Sequence, residues 1–280
     1  AGNGSYLRAT TNSNTIKYGT IALRNTGGGN GNIYIAQYDD RSRNASPVPV
    51  LYLWSVNLSN YAISNGAFGT ITNANDPGPW NSVALLSTGY PVVMYHTKDT
   101  NCINIAYNTT SYTPTTFTTR AYTGTGGKYN SLAINSSNLI MVSYQSINSD
   151  LVLGILNGVA DTTINQVYLE TQANDGITGF STSICLDNSG RPYITYINNT
   201  ELNSNSALHL ARFKNTTVNE STLSTLTDWE YMRVPSPVAV NFERTVIKWY
   251  NNGATQIPVI AYQGNNYIYI ARLIQYGGRI

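Results

Sequence analysis

Three carboxylates stand where chemistry could be done, in a chain that carries few charges. Asp76, Asp175 and Glu243 each precede a short apolar run, in "NANDPGP", "QANDGITG" and "NFERT". Two carboxylates facing one another across a pocket can cleave a glycosidic bond. One protonates the leaving oxygen while the other acts as base or nucleophile. Asp76 and Asp175 read equally well as turn residues, because Asp hydrogen-bonds to backbone two residues on. None of the three sits in a recognisable catalytic motif, so the reading taken is that all are solvated turn residues. Aromatic residues fall beside them: Tyr18, Trp80, Tyr129, Phe180 and Phe242. Such rings could stack on the apolar faces of sugars while Asn and Thr supply hydrogen bonds. They could also plug junctions between structural units, the reading preferred for Phe180 and Phe242.

Other chemistries find no foothold. "NTGGGNGN" (Asn25 to Asn32) is rich in glycine but no helix follows it, so it is no phosphate cradle. "GTGGKYN" lacks the Ser or Thr that a P-loop needs after its lysine. His96 and His209 lie far apart with no Cys or His cluster around them, and no metal or cofactor is expected. There is no nucleophile elbow and no sialidase-type aspartate box.

Charged residues make up only 11% of the 280, against about 25% in a typical soluble domain. Asn, Ser, Thr and 22 Tyr must provide the polar surface instead. A net charge of +2 without a basic stripe argues against nucleic acid, and no apolar run reaches membrane-spanning length. Ala1 begins no signal peptide, so the numbering is expected to start at a mature or trimmed terminus. Asn-x-Ser/Thr triplets occur at Asn3, Asn44, Asn57, Asn108, Asn135, Asn198, Asn215 and Asn219. With the scarcity of charge they favour an extracellular, cell-surface or virion-surface location.

The elements that must position these residues repeat. Thr20-Ile21-Ala22, Ser82-Val83-Ala84, Ser131-Leu132-Ala133, Ser183-Ile184-Cys185 and Thr245-Val246-Ile247 each begin an apolar strand A. A strand B follows, ending in Tyr38, Tyr95, Tyr144, Tyr196 or Tyr262, and opening with proline at Pro91, Pro192 and Pro258. Strand C comes next, with alternating apolar residues and then usually a small one, as in Leu151-Val152-Leu153-Gly154. A looser strand D closes the unit, around Phe68–Ile71, Phe117–Tyr122, Val167–Glu170 and Trp229–Val234. Strands A, B and C recur five times at a spacing of about fifty to sixty residues, and helical periodicity is absent.

A four-stranded antiparallel sheet repeated in this way predicts an all-β, five-bladed β-propeller in one domain. The expected blades are 11–76, 77–124, 125–175, 176–236, and 237–280 together with 1–10. Only "QYGGRI" follows the fifth strand C, so Tyr6-Leu7-Arg8-Ala9-Thr10 is expected to complete the last blade and remove its open edge. Cys102 and Cys185 belong to non-adjacent blades and should not be bonded.

"SICLDNSGRPYITYINN…ALHLARF" resembles the secreted β-propeller repeats of bacterial and archaeal surface proteins, whose units carry Asp-x-x-Gly-x-Pro between two apolar strands. Asp187, Gly190 and Pro192 match that pattern; the other units keep the strands and lose the turn. The resemblance implies fold and secretion, and no particular activity. Together these features lead to an expected non-enzymatic binding module that attaches to a glycan or surface receptor through the propeller rim. The alternatives are a structural subunit or decoration of a surface filament, sheath or capsid, with other subunits as partners, and a glycoside hydrolase of the five-bladed propeller type.

Overall fold

Five antiparallel sheets follow one another along the chain. The computed structural model describes residues 16–25, 31–39, 50–59, 63–71, 77–171, 177–199, 206–235, 240–251, 253, 256–264 and 267–272. Blade one pairs β1 (Ile16–Asn25), β2 (Gly31–Asp39), β3 (Val50–Asn57) and β4 (Ile63–Ile71). Blade two holds β5 (Pro77–Leu85), β6 (Pro91–Thr97), β7 (Cys102–Tyr107) and β8 (Thr118–Tyr122). Blade three holds β9 (Lys128–Ile134), β10 (Ile140–Gln145), β11 (Leu151–Leu156) and β12 (Asn165–Glu170). Blade four holds β13 (Phe180–Leu186), β14 (Pro192–Asn198), β15 (Ala207–Phe213) and β16 (Trp229–Arg233). Blade five is three-stranded among the described residues, with β17 (Val240–Asn251), β18 (Gln256–Gly264) and β19 (Tyr267–Arg272). Each sheet is a simple meander, and the five form a β-propeller.

Burial explains why the inner blade strands are apolar on both faces. Every residue of β6, β10 and β11 is buried, because each sheet is sandwiched between two others. Four clusters fill the junctions. Tyr34, Tyr38 and Leu51 meet Val93, Tyr95 and Ala106 between blades one and two. Met94, Ile103 and Ile105 meet Ile140, Tyr144 and Val152 between two and three. Met141, Leu153 and Ile155 meet Ile194, Tyr196 and Phe213 between three and four. Ile197, Leu208 and Leu210 meet Ile247, Ile260 and Tyr262 between four and five. The small residue within strand C of blades two to five, Ala106, Gly154, Ala211 or Ala271, leaves room for this packing. A Cβ on Gly154 would lie 2.5 Å from Ile164 Cδ1 and 3.0 Å from Val142 Cγ1, both of its own blade, so a larger side chain would displace the residues that blade three packs against blade two.

The A–B hairpin turns are more alike than their sequences. In blade four, Asp187 Oδ1 accepts from the amides of Ser189 and Arg191, both at 2.9 Å, and its Oδ2 meets Arg191 Nε at 2.7 Å. Gly190 takes a left-handed φ of 78° and donates to the Asp187 carbonyl. Blade three repeats this geometry with Asn135 in place of the aspartate, accepting from Ser137 and Leu139, and with Asn138 at φ 63°. Blade two repeats the backbone pattern from Leu86 to Tyr90, with Gly89 at φ 86°. The turn is therefore kept in blades two and three, although the Asp-x-x-Gly-x-Pro motif is not. Only a left-handed fourth residue is needed, and Gly or Asn supplies it.

Blade four also contains a helix too short to show periodicity. Helix α1 (Glu220–Leu223) is capped by Asn219, whose side chain accepts from the Thr222 amide at 2.9 Å. It buries Leu223, whose carbonyl accepts from Trp229 Nε1 at 3.0 Å. Cys102 and Cys185 are both buried and free, as expected from their separate blades. The segment expected to complete blade five, residues 1–10, lies outside the described residues; β19 presents Ile268 and Ile270 at 79% and 68% exposure.

Candidate functional site

The innermost strands β1, β5, β9, β13 and β17 pack in succession around the centre. Each carries a β-bulge near its start, where the chain enters from the preceding blade. Pairing slips between Lys17 and Gly19, between Pro77 and Asn81, and opposite the Ser143–Gln145 step in β9. It slips again between Phe180 and Ser183, and between Val240 and Thr245. A bulge bends a strand and re-aims the residues it contains, a device common beside functional sites. Tyr129 and Ser181, at equivalent positions in their bulges, adopt φ of 54° and 50°, which few non-glycine residues do.

These bulges place one residue of each blade at the same register. Strand pairing and the bonds between blades align Tyr18, Trp80, Tyr129, Ser181 and Arg244. The next residue is Gly19, Asn81, Asn130, Thr182 or Thr245. Phe180 stands one position and Phe242 two positions earlier than Trp80 and Tyr129, so they are not their structural equivalents. A cavity of about 660 Å³ is lined by consecutive residues of all five inner strands. Trp80 and Tyr129 line it, with Asn81, Asn130, Thr182 and Arg244.

Side chains at the second register position tie the blades together. Asn130 Nδ2 donates to the Trp80 carbonyl at 2.9 Å and to the Gly127 carbonyl at 3.1 Å, while its Oδ1 accepts from Ser82 Oγ at 2.8 Å. Thr182 Oγ1 donates to the Tyr129 carbonyl at 2.7 Å, and Thr20 Oγ1 donates to Asn81 Oδ1 at 3.3 Å. Thr245, at the same position in blade five, and the residues after it continue the pattern. The amides of Ile184 and Ile247 donate to Ser131 Oγ and Ser183 Oγ, both at 3.1 Å, and Thr245 Oγ1 donates to the Ser181 carbonyl at 2.6 Å. The inner wall is held by hydroxyl and amide groups instead of apolar packing, so it stays polar around the central space.

The aromatic side chains form a run across three blades. The ring of Trp80 lies 5.2 Å from Tyr129, and Tyr129 lies 5.5 Å from Phe180. Lys128 Nζ sits 6.0 Å from the Trp80 ring centre. Beneath Trp80 the buried His96 ring packs edge-on at 5.3 Å. Burial holds the His96 pKa below the usual imidazole value, opposed by its hydrogen bond to Asn101 and aided by the charge of Lys128. Its Nε2 meets Asn101 Oδ1 at 2.9 Å, which places the proton on Nε2 and leaves Nδ1 against Gly78. His96 is thus a neutral support for Trp80.

The candidate carboxylates fall as follows. Asp76 and Asp175 lie outside the described residues, as does the side chain of Glu243, although its backbone belongs to β17. Tyr18 and Phe242 likewise have described backbone alone. Among the candidate glycosylation sites, Asn3 and Asn44 lie outside the described residues. Asn57 and Asn219 are exposed, and Asn108, Asn135, Asn198 and Asn215 are half-buried. The Nδ2 groups of Asn108 and Asn215 donate to the Thr116 carbonyl and to Asp228 Oδ2.

Neither a protein-family model nor a curated protein sequence matches the chain. Solved structures do. An alpha-L-arabinanase from Penicillium chrysogenum, complexed with arabinobiose, is similar over 92% of this chain and 78% of its own, with a TM-score of 0.59 and 9% identity. A triple arginine-to-alanine mutant of AofleA from Arthrobotrys oligospora is similar over 92% and 69%, with a TM-score of 0.57 and 13% identity. An exo-beta-1,3-galactanase from Phanerochaete chrysosporium, with beta-1,3-galactotriose, is similar over 93% and 61%, with a TM-score of 0.54 and 12% identity. At such identities the likeness establishes the fold.

That finding overturns the expectation of a non-catalytic attachment module. The expectation rested on low charge and on glycosylation triplets, and neither feature constrains chemistry. The architecture found here, over nearly the whole chain, is that of an arabinanase and a galactanase. The inner-wall residues Asn81, Asn130, Thr182 and Arg244 were missed by the sequence reading. For Asn81, Asn130 and Thr182 the signal was present, as the residue immediately before an aligned Ser; blade five is displaced by one residue, which hid the place of Arg244.

Proposed function

We propose that the protein is a glycoside hydrolase that cleaves a glycan bound at the mouth of the central cavity. The observation that carries this reading is the convergence of five bulged strands on one polar cavity with an aromatic wall at Trp80 and Tyr129. In the register of those bulges, Arg244 is the fifth-blade counterpart of Trp80 and Tyr129, and Glu243 stands one residue before it, at the position of Lys128 and Phe180. The shared fold of an arabinanase and a galactanase supports the same reading.

In this scheme Glu243 is one of the two working carboxylates, and Asp76 or Asp175, on the connections entering blades two and four, is its partner. One protonates the leaving oxygen. The other activates water or attacks the anomeric carbon directly, and the separation of the two carboxyl groups decides between inversion and retention. Trp80 and Tyr129 offer ring faces to the sugar and exclude water from one side. The partner is a glycan; neither the fold nor the comparisons support a protein receptor or further subunits. An extracellular location, suggested by the Asn-x-Ser/Thr triplets, suits a polysaccharide substrate.

The test is release of reducing ends from a panel of arabinans, galactans and acidic polysaccharides. Glu243→Gln, Asp76→Asn and Asp175→Asn are assayed beside the parent chain. The reading expects turnover on at least one polymer and a loss of about 10²–10⁴-fold in two of the three variants. Equal activity in all three would refute it.

A further inference from the structure

Away from the cavity, the connection after β11 joins a reactive dipeptide to a strap between blades. Asn-Gly pairs occur at Asn3, Asn30, Asn65, Asn157 and Asn252, and Asn157 is the one whose side chain is described. It follows β11 directly and is exposed. Asn157 Nδ2 donates to Glu220 Oε2 in the first turn of α1, and its backbone amide donates to Asp161 Oδ2 at 2.5 Å. Asn165 Nδ2 donates to Ser224 Oγ, at the far end of the same helix, at 3.0 Å. These bonds strap blade three to blade four. Arg120 Nη1 and Tyr122 Oη, both of β8, donate to the Asp161 carbonyl and tie blade two to the same connection. Gly158 leaves its nitrogen open. Its amide donates to no acceptor among the described residues, and a Cβ there would meet nothing within 4 Å. The Asn157 side chain is tethered at Nδ2 alone, since Oδ1 accepts no bond among the described residues.

We infer that Asn157 is a site of spontaneous deamidation in the folded chain, and that the reaction releases the strap between blades three and four. Asparagine is chemically labile, and a following glycine has no side chain to shield its nitrogen. The Gly158 nitrogen gives its proton to hydroxide and attacks Asn157 Cγ. The Cγ–Nδ2 bond breaks, and Nδ2 takes a proton from water and leaves as ammonia, which regenerates the hydroxide. Water then opens the five-membered imide. Attack at Cγ gives an aspartate at position 157; attack at the main-chain carbonyl gives an isoaspartate, with one more methylene in the backbone. Either product sets a carboxylate where an amide donated, facing Glu220 and beside Asp161. Glu220 Oε2 loses its donor and meets a like charge. Arg120 is engaged with the Val159 and Asp161 carbonyls. None of these residues lines the cavity, so the reaction proceeds whether or not the chain cleaves glycans.

The whole folded chain, incubated at pH 8.5 and 37 °C, tests the site. Peptide mapping by mass spectrometry counts aspartate and isoaspartate at position 157, with the same chain in urea as reference. The folded chain should convert there within about tenfold of the rate in urea, as an exposed connection with a low cost of local opening allows. Gly158→Ala places a methyl in open space, so it should remove most of the conversion and leave the melting temperature unchanged or raised. The consequence is tested by Asn157→Asp, which should lower the melting temperature by about 2–4 °C. Adding Glu220→Gln should recover most of that loss, because the new amide can donate to the new carboxylate. No conversion at position 157 in the folded chain overturns the site. An Asn157→Asp chain that melts with the parent overturns the release of the strap, as does a loss that Glu220→Gln fails to recover.

Discussion

Replacing Asn130 should both loosen the propeller and disturb the site. Its side chain is buried and makes three hydrogen bonds, two donated to the Trp80 and Gly127 carbonyls and one accepted from Ser82 Oγ. At about 1 kcal/mol each, Asn130→Ala should cost about 3 kcal/mol, less whatever water restores at the half-exposed Trp80 end. Asn130→Asp is the sharper perturbation. It keeps the size and the acceptor for Ser82, but turns a carboxylate oxygen toward two carbonyl oxygens. At neutral pH it should be more destabilising than alanine. Burial and those carbonyls raise the folded-state pKa of the new carboxyl above its unfolded value near 3.9. The deficit should therefore shrink as pH falls through the raised folded pKa, because the protonated acid can donate again. Urea unfolding of the parent chain and both variants at pH 7 and pH 4.5 measures this. An aspartate variant more stable than the alanine variant at pH 7 would refute the assignment of the two donated bonds.

Further expectations follow from other parts of the molecule. Asp187→Ala should cost about 2–4 kcal/mol in the same assay, since two backbone amides lose a charged acceptor, whereas Asp187→Asn should cost about 1 kcal/mol. His96 has a folded pKa below its unfolded value, so stability should fall as pH drops below about 6.5, where the unfolded chain takes up the proton first. In His96→Gln that part of the slope should disappear from melts recorded between pH 7 and pH 5. Burial pushes the Cys185 thiol up to about 12, so Cys185 should resist an aromatic disulfide reagent until denaturant is added, and burial should shield Cys102 from the same reagent. Removal of residues 1–10 should lower the melting temperature or cause aggregation if that segment covers the β19 edge; an unchanged melting temperature argues against that closure.

The propeller was legible because each blade repeats the same apolar strands in the same order. Burial of β10 and β11 on both faces demands residues such as Ile140-Met141-Val142 and Leu151-Val152-Leu153, and these show in any sequence. Turn equivalence was not legible. Leu86–Tyr90, Asn135–Leu139 and Asp187–Arg191 share a backbone shape that needs one left-handed residue, met by Gly89, Asn138 and Gly190. The bulges were hidden for a related reason. A single extra residue leaves no mark in composition, yet it separates Phe180 from the register of Tyr129 and gives that position to Ser181. Glu243 was set aside as a turn residue because a sequence shows that a carboxylate precedes a strand, not that a bulged strand contains it.

The most direct test of the central claim separates binding from turnover in Glu243→Gln. The isosteric amide keeps shape and hydrogen bonding but can neither ionise nor carry a proton to the leaving oxygen. On the polymer that the parent chain cleaves, the variant should bind the matching oligosaccharide within about threefold of the parent while kcat falls by about 10²–10⁴-fold. Retained turnover in Glu243→Gln, with binding also retained, would contradict the account.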